Sequence, residues 1–265
     1  MIDVPMIDVV VLDLDGGAML QECLASLRAQ TVPHRLILFD NGSKTPTPHA
    51  TQRSAQNLGF AGGANAAFRL CSAPYVAIVN NDVVLEPDWL EHVRDALDRD
   101  EKLAAVQTII RRPDGCIDGA GVDISDGTFR QIGYGSNVGE PLHVAWGVSA
   151  TATLYRAAAL GETVFDERLF AYYEDVELSA RLKASGWRTA VLPVIKATHR
   201  GSATGHVLPH GKRLKTRNRY LVARWHPGVG RIRSLLWEDA KLLVKGQSSL
   251  RGIVEGMIRA MSDDR

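Results

Sequence analysis

Three short apolar runs, spaced by helical patterns, restrict the fold of this chain more than any other feature. Ile7 to Leu12, broken only by Asp8, Arg35 to Phe39 and Tyr75 to Val79 each end in a polar cluster. Those clusters are Asp13-Leu14-Asp15-Gly16-Gly17, Asp40-Asn41-Gly42-Ser43 and Asn80-Asn81-Asp82. Runs of this length and composition read as buried parallel strands. Between the first two, Met19, Leu20, Cys23, Leu24 and Leu27 recur at helical spacing until Pro33 stops the helix. Between the second and third, Asn57-Leu58-Gly59-Phe60-Ala61-Gly62-Gly63-Ala64-Asn65 opens another helix that runs through Phe68 and Leu70. Strand and helix in alternation require a mostly parallel sheet with right-handed crossovers, and ligands gather at the carboxyl ends of its strands. The expected architecture is α/β, a Rossmann-like central sheet flanked by helices.

The clusters at the strand ends limit the chemistry. A dinucleotide fold needs G-x-G-x-x-G after the first strand, and Gly16-Gly17 is followed instead by Ala18-Met19-Leu20-Gln21; no Walker A lysine follows a glycine loop either. Acids at strand ends, Asp40 and Asp82, suit recognition of a nucleoside and coordination of a hard cation that holds its phosphates. Ala104 to Ile110 reads as a further strand, Gly119 to Gly139 as a glycine-rich loop, mobile or substrate-facing, and Trp146 to Arg156 as a segment ending in a strand. Tyr172-Tyr173-Glu174-Asp175-Val176-Glu177 then places acids in the first turn of a helix starting near Tyr173, where capping alone would favour them, with two aromatics suited to wall a sugar site. Val191-Leu192-Pro193 closes a strand-like stretch. His199 follows, where a neutral imidazole could join Asp82 on a divalent metal.

Cys23, Cys71 and Cys116 are odd in number and widely spaced, which argues against a disulfide framework or a cysteine-based zinc site and fits the reducing cytoplasm. No run approaches the roughly 18 apolar residues of a membrane span. With Asp3 and Asp8 near its start, the N-terminus is not expected to be a signal peptide. The formal net charge is only +1, yet Leu178 to Trp237 contains no Asp or Glu. That block of Lys and Arg is expected to face an anion: a diphosphate, an acidic lipid surface or nucleic acid.

These pieces, in this order, resemble the glycosyltransferases of family 2, with their GT-A fold, and particularly their bacterial rhamnosyltransferase branch. The likeness runs from about Ile7 to Pro227: Gly16-Gly17 with the Leu24 to Thr31 helix, Asp40-Asn41-Gly42-Ser43, Asn57 to Gly63, Asn80-Asn81-Asp82, Phe165-Asp166-Glu167 through Glu174-Asp175, and His199. Two departures stand out. Asp13-Leu14-Asp15 replaces the usual Asn-x-Asn, and Glu177 replaces an Asp.

The resemblance implies an inverting, metal-dependent transfer of a sugar, rhamnose among the candidates, from a dTDP- or UDP-sugar to a glycan or lipid-linked acceptor. Asp40 would hydrogen-bond the pyrimidine, with Asn57, Gly62, Asn80 and Asn81 around the nucleotide sugar. Asp82 and His199 would hold Mg²⁺ or Mn²⁺. Asp175 would be the general base, although from the residues alone Glu174 serves equally. Arg217 and Arg219 would add charge on the diphosphate side or else form a solvated basic turn. Nucleic acid is not an expected partner. The expected division is a catalytic unit over 1–227, its nucleotide-sugar half about 1–110 and acceptor half about 111–227, followed by an amphipathic helical segment over 228–265.

Three rivals make distinct demands. A sugar-nucleotide nucleotidyltransferase needs a glycine-rich basic loop after the first strand, where this chain is acidic. A processive synthase needs Gln-x-x-Arg-Trp; Arg224-Trp225 is present but Leu221 stands where Gln belongs. A non-catalytic nucleotide-binding protein would turn over no nucleotide sugar. In the C-terminal segment, Leu250, Ile253, Val254, Met257, Ile258 and Met261 follow helical spacing. This stripe suits core packing, a partner surface or an anionic membrane surface, the last placing the chain peripherally at the inner face of the plasma membrane.

Overall fold

The computed structural model describes residues 7–139, 144–201 and 210–262. Along the chain run β1 (Ile7–Asp13), α1 (Gly17–Arg28), β2 (His34–Asp40), β3 (Gln52–Arg53), α2 (Gly59–Phe68), β4 (Tyr75–Asn80), β5 (Val83–Leu85), α3 (Trp89–Arg99) and β6 (Leu103–Arg111). There follow β7 (Ile117–Gly119), β8 (Val122–Asp123), β9 (Arg130–Gln131), β10 (Ala152–Arg156), α4 (Glu174–Ala184), β11 (Arg188–His199), α5 (Gly211–Trp225), α6 (Ile232–Val244) and α7 (Leu250–Ser262).

The main sheet has the order β3-β2-β1-β4-β10-β6-β11-β5, with β7 paired to β6. Strands β2, β1 and β4 are parallel, as the alternating pattern requires, whereas β10 enters antiparallel between β4 and β6. Burial is nearly continuous along β1 because both faces are covered. Val9 and Val11 pack with Leu24 and Leu27 of α1 and Trp89 and Leu97 of α3, while Val10 packs with Ala61 and Ala64 of α2. Asp8, the one charge in this run, is fully buried and satisfied by the Arg35 guanidinium and the amides of Ser72 and Ala73.

Strand β11 does not stop at Pro193. Its register on β6 shifts between Leu192 and Ile195, which accommodates the proline's missing N–H, and pairing resumes to Thr198. The continuation matters because β11 then pairs with β5 at the sheet edge, where His199 stands opposite Val83.

A third core joins the hairpin β8–β9 to the helices that follow β11: Val122, Phe129, Leu169, Val176, Tyr220, Leu221 and Trp225 pack with Leu235 of α6 and Ile253 of α7. A Cβ on Gly252 or Gly256 would lie within 3 Å of an α5 backbone carbonyl, so these glycines let α7 approach closely. The boundary expected at 227 falls between α5 and α6, inside this cluster.

Part of the acid-free stretch is neutralised within the fold. Arg181 pairs with Glu177, Arg188 with Asp100, Lys196 with Asp88, Arg200 with Glu22, Arg213 with Glu255, and Arg219 with Glu238 and Asp239. The field expected of this block is therefore partly spent within the fold, by acids that other segments supply.

Candidate active site

A cavity of about 460 Å³ opens at the carboxyl ends of β1, β2 and β4. Leu12, Leu14, Asn41, Asn57, Gly59, Phe60 and Asn80 to Asp82 line one part, with His199 beside them; Phe129 to Gln131, Ala150, Thr151, Ala171 to Val176 and Lys215 line the rest.

At the sheet edge, the β5–β11 register sets Asp82 beside His199, whose Nε2 lies 3.2 Å from Asp82 Oδ1. The other ring nitrogen, Nδ1, lies 2.8 Å from Asp118 Oδ2 at the end of the β6–β7 hairpin. Burial disfavours charge on this imidazole, but the hydrogen bonds to Asp118 and Asp82 and their charges outweigh it and hold His199 up at about 10. Asp82 and His199 would fit a divalent cation once it displaces the imidazole proton that the two carboxylates favour. Adjacent octahedral donors with bonds of about 2.1 Å stand about 3 Å apart, close to the observed separation. No cluster of three or more His, Cys, Asp or Glu occurs among the described residues. A cation here would take its remaining ligands from phosphate oxygens and water, the habit of Mg²⁺ at nucleotide sites.

The second acid pair opens α4. Glu174 and Asp175 follow a turn in which Phe170, Tyr172 and Tyr173 take φ of 64°, 74° and 69°. For residues with a Cβ each such conformation costs on the order of 1–3 kcal/mol. Gly59, at φ of 74°, meets this turn, and a Cβ there would collide with Phe170 O. Asp175 accepts from Val176 N at 2.8 Å and from Ala150 N at 3.3 Å. Glu174 is buried, and its Oε2 has no partner among the described residues. Burial, then the neighbouring Asp175 charge, pushes Glu174 up to about 8; burial also raises Asp175, against the backbone amides that stabilise its charge. The two pairs are linked through the backbone, since Asn80 N donates to Thr151 O and Ala150 donates to Asp175.

Of the residues expected at the site, Asn57, Asn80, Asn81, Asp82, Glu174, Asp175 and His199 line the cavity together. Four do not. Asp40 is fully buried, and its oxygens accept from Ser43 N and Thr47 N at 2.8 and 3.0 Å, with Arg53 beside it; it shapes the loop after β2. Burial opposes its charge, yet those amides and Arg53 hold its carboxyl below the usual range. Gly62 lies within α2, facing Leu58 and Glu167. Arg217 and Arg219 are neither on the cavity wall nor in a solvated turn. Both are buried in α5, where Arg217 donates to the carbonyls of Arg168 and Leu169 and Arg219 pairs with Glu238 and Asp239.

Several lining residues escaped the sequence. Asn41 joins Asn57 Oδ1 and Gly59 O at 3.2 and 2.9 Å, and its place beside Asp40 in the strand-end cluster was the available signal. Lys215 lies over the Tyr172 ring, 4.6 Å from its centroid, without a carboxylate partner among the described residues. Nothing local distinguished it from the cations around it. Asp118, which bonds to His199 and does not itself line the cavity, sits in a segment with no legible pattern.

The sequence model described as Glycosyl transferase family 2 matches residues 9–163, more than half of the chain. The chain belongs to glycosyl transferase family 2. It is a glycosyltransferase of rhamnosyltransferase-like sequence. An N-acetylglucosaminyl-diphospho-decaprenol L-rhamnosyltransferase of Mycobacterium tuberculosis is 29% identical over 77% of this chain and 81% of its own length. Among solved structures, the mannosyltransferase PcManGT of Pyrobaculum calidifontis, in complex with GDP-Man and Mn²⁺, aligns at a TM-score of 0.60 and 14% identity over 98% of this chain and 88% of its own. S. aureus TarS 1-349 in complex with UDP-GlcNAc aligns at 0.59 and 16% identity over 83% of this chain and 65% of its own. Both share the GT-A fold.

Proposed function

We propose that the protein moves a sugar, rhamnose foremost, from a nucleoside-diphosphate sugar to a hydroxyl of a lipid-linked glycan, with inversion at the anomeric carbon. The observation that carries this is the meeting of the Asp82–His199 pair and the Glu174–Asp175 pair in one cavity. An acceptor hydroxyl must lose its proton as the new bond forms, and a departing diphosphate must have its growing charge neutralised. Asp175, held by two backbone amides, takes the proton. Glu174, with an unsatisfied buried oxygen, binds a substrate hydroxyl rather than acting as base. A divalent cation bound at Asp82 and His199 would supply the charge that stabilises the leaving diphosphate. Asn41, Asn57, Asn80 and Asn81 are the polar groups available to the donor.

The relative's decaprenol-linked substrate supports a lipid-linked acceptor. So does the C-terminal surface: Trp237, Val244, Leu250, Val254, Ile258 and Met261 are exposed. Among the described residues, Arg233, Lys241, Lys245 and Arg259 around them have no carboxylate partner, a pattern suited to an anionic membrane surface. No helix among the described residues is long and apolar enough to cross a membrane.

The test is turnover of dTDP- and UDP-sugars with Mn²⁺ and a polyprenyl-diphosphate-linked N-acetylglucosamine acceptor. A new glycosidic bond of opposite anomeric configuration is the expected product. Absence of turnover with every donor, in protein that binds nucleotide, would favour the non-catalytic alternative.

A further inference from the structure

Arg217 and Asn218 turn away from the cavity, and what they grip is the turn that delivers the acids. Phe170, Tyr172 and Tyr173 lie in a region of backbone space that residues with a Cβ seldom enter, and Glu174 and Asp175 follow at once. Such a turn persists only where its surroundings over-determine it. Asn218, completely buried, donates from Nδ2 to the carbonyls of Leu169, Ala171 and Tyr172 at 2.9, 2.8 and 2.8 Å. Arg217 donates from Nη2 to Arg168 O and Leu169 O at 2.9 and 3.1 Å, and from Nε to Asn218 Oδ1 at 2.8 Å, which fixes how the amide points. From the opposite side Ala61 N donates to Phe170 O at 3.0 Å. The helix bearing the pair is itself tied down, because Arg219 and Tyr220 both donate to Asp239 of α6.

We propose that Asn218, oriented by Arg217, is a positioning residue for the transfer: it clamps the 168–173 turn and so fixes Asp175 against the acceptor hydroxyl. This rests on the base assignment made under the proposed function. The groups at the donor end, Asn57, Asn80, Asn81, Asp82 and His199, are carried by the ends of β4 and β11 and the loop before α2, and none bonds to Arg217 or Asn218. Loosening the clamp therefore acts on the chemical step and leaves donor binding in place. Misplacement of a reacting group by about 1 Å costs on the order of a hundredfold in rate.

The test compares Asn218→Ala and the milder Arg217→Lys, which keeps the cation but loses the fork on two carbonyls, with the wild type. The expected result is a kcat lowered roughly ten- to a hundredfold in Asn218→Ala and less in Arg217→Lys, with donor KM within about twofold. Amide exchange across 170–176 should quicken in both, a readout that needs no turnover. A folded Asn218→Ala with kcat within twofold of wild type overturns the proposal, as does a parallel loss of donor binding; if Asn218→Ala does not fold, Arg217→Lys is judged by the same criteria. Should the wild type prove inactive, the proposed function fails, and unchanged exchange across 170–176 would separately sink the clamp.

Discussion

Glu174 and Asp175 share one wall, and their different surroundings divide their work. Asp175 is held by two amides that favour its charge, so Asp175→Asn should keep donor binding and lower kcat by roughly a hundredfold or more. Full activity in that variant would transfer the role to Glu174. Glu174 has a signature in stability as well. Burial and the Asp175 charge raise its folded pKa to about 8, above its ordinary 4.5, so the folded state holds the proton more tightly. The associated stability is fully present below pH 4.5 and is lost as pH rises through 8. Glu174→Gln should flatten this decline, as measured by denaturant midpoints at intervals across that range. Asp118 offers a third residue-scale test. A carboxylate behind a ligating histidine orients it, so Asp118→Asn should weaken Mn²⁺ binding by roughly ten- to a hundredfold in a titration read without turnover. Unchanged binding would reduce Asp118 to a structural partner.

At the scale of elements, α6 and α7 carry the prediction. Their inward sides are committed, with Asp239 on Arg219 and Tyr220 and with Gly252 and Gly256 against α5, so removing the segment would strip a core rather than a tail. Point changes on the outer face are the cleaner probe. Val254→Glu with Ile258→Glu should abolish sedimentation with anionic vesicles at low salt while leaving the melting temperature near that of the wild type; a wild type that stays in the supernatant would leave this face to a protein partner. The strands β1, β2 and β4 and the helices between them were legible because continuous apolar runs and helical spacing are local signals. So was the start of α4. The clamp was not legible, since Arg217-Asn218-Arg219 reads either as charge on the diphosphate side or as a solvated basic turn until the partners of its side chains, far away in sequence, are in place. His199 was readable as a strand-end residue, but its strand was cut short at Pro193, because a register shift that absorbs a proline leaves no mark in the pattern. Asp40 was placed on the site as a strand-end acid and by resemblance, Gly62 by resemblance, and the structure sets both off the cavity wall.

For the molecule as a whole, ligand linkage provides the broadest check. A ligand that binds only the folded state raises its apparent stability, by about 2.7 kcal/mol at a hundred times its Kd. Nucleoside diphosphate with Mn²⁺ should therefore raise the melting temperature, chelator should remove most of that gain, and His199→Ala should behave like the chelated wild type. Equal stabilisation in excess chelator would dissociate donor binding from the cation.

The aromatic turn before α4 also bears on how such a sequence can diverge. Phe170, Tyr172 and Tyr173 occupy backbone conformations that glycine would adopt freely. Keeping rings there means accepting a conformational penalty that a single codon change could relieve, so drift alone should erode them. In a saturation library selected only for folding, glycine and asparagine should rise at 170, 172 and 173 while valine, isoleucine and threonine disappear. Selection for transfer should bring the rings back at Tyr172 and Tyr173, whose side chains border the cavity, and leave 170 permissive.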